Sequence, residues 1–136
     1  MTDIVKNYTE LRVWQAAMDL VPMIYRITEK LPGREHYTLG QQMRRAAVSV
    51  PANVAEGQAR QHTREFLHHL SIARGSLAEL HTMLLLAGRL SYLDGEQLEE
   101  PLRQVESIRM LLCGLFGRLR SRPSRPTLVV GGRVER

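Results

Sequence analysis

Glu65-Phe66-Leu67-His68 is a Glu-x-x-His quartet, the motif that gives two ligands from one helix to a di-iron centre in a four-helix bundle. Such a centre needs a second quartet on another helix. None exists: the other histidines are His36, His62, His69 and His81, and none stands three residues after a glutamate. Glu96, Glu99, Glu100 and Glu106 come without an imidazole nearby. His62, Glu65 and His69 share one helix face and could form at most a low-affinity metal site, a pattern that partly exposed histidines often show. The single cysteine, Cys113, excludes paired-cysteine zinc sites and thiol redox motifs. The only lysines, Lys6 and Lys30, lie outside any glycine-rich phosphate loop. Ser49, Ser71 and Ser76 fall in helical pattern, without the sharp strand-to-helix turn that exposes a nucleophilic serine. The chain reads as nonenzymatic, with no catalytic residue, cofactor or metal expected.

What remains is chemistry for binding. Gln42, Arg45, Ser49, Asn53, Glu56 and Arg60 recur at intervals of three and four, a line of hydrogen-bonding groups along one helix face. The net charge of +5 and the pI near 10 suggest an anionic partner, but the location of the charge matters more than its size. Residues 1–32, 33–75, 76–117 and 118–136 carry net charges of 0, +3, −3 and +5, so the excess sits at the C-terminal end. Seventeen of the nineteen cations are arginine, which genomic base composition explains as readily as phosphate recognition does.

The elements that must position these groups follow from hydrophobic spacing. At 136 residues the chain has the length of one domain with one core. No apolar stretch is long enough to span a membrane, and early charges argue against a signal peptide, so a cytoplasmic protein is expected. A first helix is signalled by Asn7 as cap with Glu10 three residues on, carries Leu11, Trp14, Met18, Val21 and Tyr25 on its stripe, kinks at Pro22 and ends at Leu31-Pro32-Gly33. A second covers about 37 to 60, with Leu39, Met43, Ala46, Val50 and Val54 inward and a bend expected at Pro51. The third starts near Thr63 and buries Phe66, Leu70, Ala73, Leu77, Leu80, Leu84 and Ala87. Asp94 caps a fourth, through Leu98, Leu102, Val105, Ile108, Leu112, Leu115 and Leu119. Residues 83–87 and 110–116 are apolar all round, Cys113 included, so Cys113 reads as core packing and these ends call for a second buried face.

The reading is an all-α protein: an antiparallel up-down four-helix bundle over residues 1–120, then a basic tail with proline and arginine over 121–136, expected to be flexible and unstructured. The apolar excess supports self-association.

One block is recognisable. Arg44-Arg45-Ala46-Ala47-Val48-Ser49-Val50-Pro51-Ala52-Asn53-Val54-Ala55-Glu56-Gly57, followed by Arg60, closely resembles the signature of a bacterial four-helix bundle family first noticed in intervening sequences of large-subunit ribosomal RNA genes. Leu11-x-Val13-Trp14-x-x-Ala17, Ile72-Ala73-x-Gly75-Ser76-Leu77-x-Glu79-Leu80 and Tyr92-Leu93 follow in the family's order, so the resemblance spans about 9 to 119. Thr38 and His81 depart from it, standing where glycine and glutamate are expected. The resemblance implies a homopentamer, and its relatives include retroelement accessory variability proteins, basic pentamers that engage a reverse transcriptase and nucleic acid. Two readings follow. In one, Arg44, Arg45, Arg60, Arg64 and Arg74 contact the phosphates of RNA or DNA, with the tail arginines adding nonspecific affinity. In the other, the chain is a structural or protein-interaction module, and Arg45, Ser49, Asn53, Glu56 and Arg60 form a buried polar network that fixes helix packing or subunit register. The scarcity of aromatic groups, two Phe, four Tyr and one Trp, favours the second for these residues.

Overall fold

A computed structural model describes residues 7–121, 128–130 and 133–135. Four helices carry the fold: α1 (Arg12–Thr28), α2 (Leu39–Ala59), α3 (Thr63–Arg89) and α4 (Gly95–Arg120). Each packs on its sequence neighbours and α1 also packs on α4, which closes an antiparallel up-down bundle around one core. Among the described residues no helix is long and apolar enough to cross a membrane.

The inward stripes of α2, α3 and α4 are those that the spacing predicts, except that Leu39, Phe66 and Leu102 are only half-buried. Met43, Ala46, Val50 and Val54 meet Leu70, Ala73, Leu77, Leu80 and Leu84, and α4 adds Val105, Ile108, Leu112, Leu115 and Leu119, all buried. The α1 stripe differs. Its buried face is Val13, Ala17, Leu20, Ile24 and Ile27, continued by Leu31. The predicted stripe lies one position round the helix: Leu11, Trp14 and Val21 are half-buried against the core, while Met18 and Tyr25 are exposed. Both stripes have helical spacing, and the bulkier one drew the assignment. The thinner stripe, with Ala17 at its centre, brings the backbones closer.

Helix ends also depart from expectation. The Asn7/Glu10 capping box forms, with Asn7 Oδ1 accepting from Thr9 N–H at 2.9 Å and Glu10 Oε2 from Asn7 N–H at 3.1 Å, but it caps a single 3-10 turn, Tyr8–Glu10. Leu11 is extended, and α1 starts at Arg12 without a side-chain cap. At α3 the N-cap is His62, again without a side-chain bond, and Thr63 is the first helical residue. Asp94 caps α4 as predicted, and Gln97 returns the bond to form a second capping box. α1, α2 and α4 continue through Pro22, Pro51 and Pro101. Pro51 and Pro101 are buried, so tertiary packing holds the turns from which each removes a donor.

Cys113 is exposed, contrary to its reading as a core residue. One residue on from buried Leu112, it is turned about 100° away from the inward stripe. The same geometry leaves Leu85, Leu86, Leu90 and Met110 outside, Met110 at 61% exposure. Of the tail expected to be unstructured, residues 122–127, 131, 132 and 136 lie outside the described ones. Leu128–Val130 (β1) and Arg133–Glu135 (β2) pair antiparallel, Val130 opposite Arg133.

Two non-glycine residues have positive φ, Gln61 at 62° and Ser91 at 61°. Ser91 closes α3: its N–H bonds Gly88 O at 3.0 Å and the Tyr92 N–H bonds Ala87 O at 2.9 Å, the paired bonds of a Schellman cap. Glycine adopts this conformation without a Cβ penalty. Ser91→Gly is therefore expected to stabilise the chain by about 0.5–1 kcal/mol, read as a higher urea midpoint at unchanged slope.

Candidate nucleic-acid interface and polar network

The α2 polar stripe turns inward on α3 over its central part. Asn53 Nδ2 donates to Ser49 O at 2.9 Å and Ser49 Oγ at 3.0 Å, and Ser49 Oγ meets Ser76 Oγ of α3 at 2.7 Å. The carbonyl acceptor fixes the Asn53 amide, so Oδ1 faces His69 Nδ1 at 3.2 Å. His69 Nε2 lies 3.7 Å from Glu56 Oε2, which in turn accepts from Arg60 Nη2 at 3.0 Å. Sequence spacing finds Ser49, Asn53, Glu56 and Arg60 but misses Ser76 and His69, which lie across the helix pair. Arg45 is exposed and stands outside this network. Nor is the network uniformly buried: the serines, Asn53 and His69 are half-buried, whereas Glu56 and Arg60 are each about half exposed. The Arg60 hydrogen bond foremost, and then the charge of His69, hold the Glu56 carboxyl below its usual value.

Gly57 makes this arrangement possible. A Cβ there would sit 2.7 Å from His69 Cβ and 3.0 Å from a Phe66 ring carbon, so α2 and α3 approach as closely as they do only because position 57 has no side chain. His69, considered with His62 and Glu65 as a surface metal ligand, is instead directed at Asn53 and Glu56. Among the described residues no cluster of three or more His, Cys, Asp or Glu is placed to hold a metal ion.

The five arginines assigned to phosphate have different surroundings. Arg44 Nη2 donates to His36 O at 3.0 Å, with its guanidinium 6.0 Å from the Tyr25 ring centroid. Arg60 is paired with Glu56, and Arg64 is exposed in the first turn of α3. Arg74 lies 4.4 Å from the Phe116 ring centroid, and Arg120 lies 4.9 Å from the same ring. Arg45 lines a shallow groove of about 620 Å³ with Tyr25, Tyr37, Gln41, Arg44, Val48 and Ser49. Neither tyrosine is among the residues that the sequence singles out for binding. Carboxylates neutralise Arg60, Arg103 and Arg109 among the described residues, each within one helix, while Arg34, Arg44, Arg74 and Arg120 lie over aromatic rings.

Three variants report on the network. Gly57→Ala forces α2 and α3 apart and is expected to cost about 1–3 kcal/mol in a urea melt. Asn53→Ala removes bonds to Ser49 and His69 and is expected to cost about 1–2 kcal/mol. For Glu56, a carboxyl held below its usual pKa adds stability above the ordinary carboxylate range, and this is lost as pH falls through the lowered value. The melting temperature of Glu56→Gln should therefore lie slightly below that of the wild type at neutral pH, and the gap should narrow in acid.

Comparison with known proteins agrees with this architecture. A solved structure from Bacteroides thetaiotaomicron, described as a protein with unknown function from the S23 ribosomal protein family, superposes with a TM-score of 0.71. At 24% identity it covers 76% of this chain and 96% of its own, which shows a shared fold. No curated protein matched the sequence. The profile of the 23S rRNA-intervening sequence protein family matches residues 9–114, which take in the polar network, the groove and most of α4. The chain belongs to the 23S rRNA-intervening sequence protein family.

Proposed function

We propose that this chain is a nonenzymatic, cytoplasmic subunit of a homo-oligomer, a pentamer by family resemblance, that binds RNA or DNA. The arginine distribution carries the nucleic-acid reading. Arg44, Arg74 and Arg120 are held against aromatic rings, and among the described residues no carboxylate pairs with them or with Arg45. Guanidinium groups presented in this way keep their charge available to phosphate. Arg74 and Arg120 share the Phe116 ring, so their guanidinium carbons lie within about 9 Å of each other, a spacing that phosphates of one strand can bridge. The name of the family, 23S rRNA-intervening sequence protein, supports an RNA partner. Leu85, Leu86, Leu90 and Met110, exposed on helices whose inward faces are already filled, support self-association.

A second reading, a structural or protein-interaction module without nucleic acid, draws on the central α2 stripe. Ser49, Asn53 and Glu56 bond across to α3, which supports a role for them in helix packing. Of the candidate phosphate ligands this removes Arg60, which is tied to Glu56.

Two measurements test the proposal. Affinity for structured RNA is expected to fall linearly on a log-log scale as salt rises. Light scattering is expected to give a multiple of the 15.5 kDa chain mass, reduced in Leu85→Glu or Leu86→Glu. Absence of RNA and DNA binding at low ionic strength overturns the nucleic-acid reading, and a monomer mass overturns the assembly.

A further inference from the structure

The groove between α1 and α2 brings two tyrosines and two arginines into one lining. Tyr37, in the connection between the two helices, is 78% exposed, the most exposed large hydrophobic residue described, and Tyr25 on α1 is 48% exposed. Tyr37 has one edge-on ring contact, with His36 at 4.9 Å, and Tyr25 lies under Arg44, but phenol rings left so open still bury little apolar area. Between them stand two arginines in different states. Arg44 is fixed, held by the His36 carbonyl and lying over the Tyr25 ring. Arg45 is exposed and makes no ion pair with any described residue. Gln41 adds an exposed amide that can both donate and accept.

We propose that this groove binds single-stranded nucleic acid, with an unpaired base stacked on Tyr37 and the adjoining phosphate held by Arg45 and Arg44. The inference rests on the nucleic-acid reading above and specifies where and in what form the strand binds. The aromatic ring is what selects a single strand. In a duplex each base is stacked on its neighbours and cannot reach a side-chain ring, whereas an unpaired base can stack on one regardless of its identity. The volume of about 620 Å³ lies within the roughly 300–1,000 Å³ of small-molecule sites, room for a nucleotide and part of its neighbour. Arg44, already oriented, offers its remaining N–H groups at little ordering cost, and Arg45 supplies the adaptable contact. A duplex would meet only the cations, and would bind less tightly for lack of stacking.

The test uses the full chain and fluorescence anisotropy with labelled oligouridylate, oligothymidylate and an RNA duplex. Tyr37 and Arg45 are surface residues, so their variants should keep the wild-type mass and melting temperature. We expect single strands to bind more tightly than the duplex, and Tyr37→Ala to weaken single-strand binding about 10-fold while leaving the duplex unaffected. Tyr37→Phe, which keeps the ring, should match the wild type. Arg45→Ala should reduce the salt slope on single strands by about 0.7. Whichever oligonucleotide binds more tightly identifies RNA or DNA as the source of the strand. If the wild type binds single strands and Tyr37→Ala binds them equally well, this inference is wrong while the broader reading stands. If no nucleic acid binds at low salt, both fall. A change of oligomer mass in Tyr37→Ala would make the groove a subunit interface and overturn the proposal.

Discussion

The close approach of α2 and α3 at Gly57 is the constraint on which the rest of the bundle depends. A methyl group there would meet His69 Cβ at 2.7 Å, so the helix separation is set by the absence of one side chain. At that separation the short side chains Ser49, Asn53 and Ser76 can reach one another. Longer polar groups would be needed across a wider gap, at greater cost in rotamer freedom. The Ser49–Ser76 contact then pins the axial register of the two helices, because a slip of one residue would carry each hydroxyl about 100° around its helix. Register in turn places the α1–α2 connection beside the α3–α4 connection, where the Tyr92 hydroxyl donates to Glu35 Oε2 at 2.8 Å. Thr38 foremost, with Tyr92 second, holds the Glu35 carboxyl below its ordinary value, so this tie is built around an ionised acceptor.

Ion pairs play a small part beside this. Those among the described residues that involve arginine, Arg60–Glu56, Arg103–Glu99 and Arg109–Glu106, join neighbours on one helix and are exposed, the kind of pair worth little to stability. Contacts between elements are made instead by core side chains and by single hydrogen bonds such as Gln104 Nε2 to Ala16 O at 2.8 Å, which fastens α4 to α1. No arginine–carboxylate pair among the described residues thus joins one helix to another.

Much of the architecture was legible in the sequence because burial follows helical spacing. The stripes of α3 and α4 were readable since each has a single continuous line of large aliphatic residues. α1 was misread because two lines of equal period lie side by side, and only packing against α2 and α4 decides that Ala17 and Ile24 go inside rather than Met18 and Tyr25. Cys113 was misread for a related reason: in an apolar run, composition does not say which residues face out. The network was half legible. Spacing puts Ser49, Asn53 and Glu56 on one face, but their partners Ser76 and His69 are set by the register between helices, which no single-helix pattern contains. The groove is not legible because Tyr37 opens the run expected over 37–60 but lies off its apolar stripe, in the connection before α2, and Tyr25 falls on the stripe expected to face inward.

The up-down topology separates two kinds of cationic surface along the molecule's long axis. The groove lies where α1 ends and α2 begins, whereas Arg118 and Arg120 stand in the last turn of α4, at the opposite end. α4 alone has 26 residues, which at 1.5 Å each makes a rod of about 39 Å. A polyanion that touched both ends would have to run lengthwise along one bundle, and a shorter one must choose an end. On the nucleic-acid reading proposed above, the length of one helix would set the shortest strand able to reach both ends of a bundle.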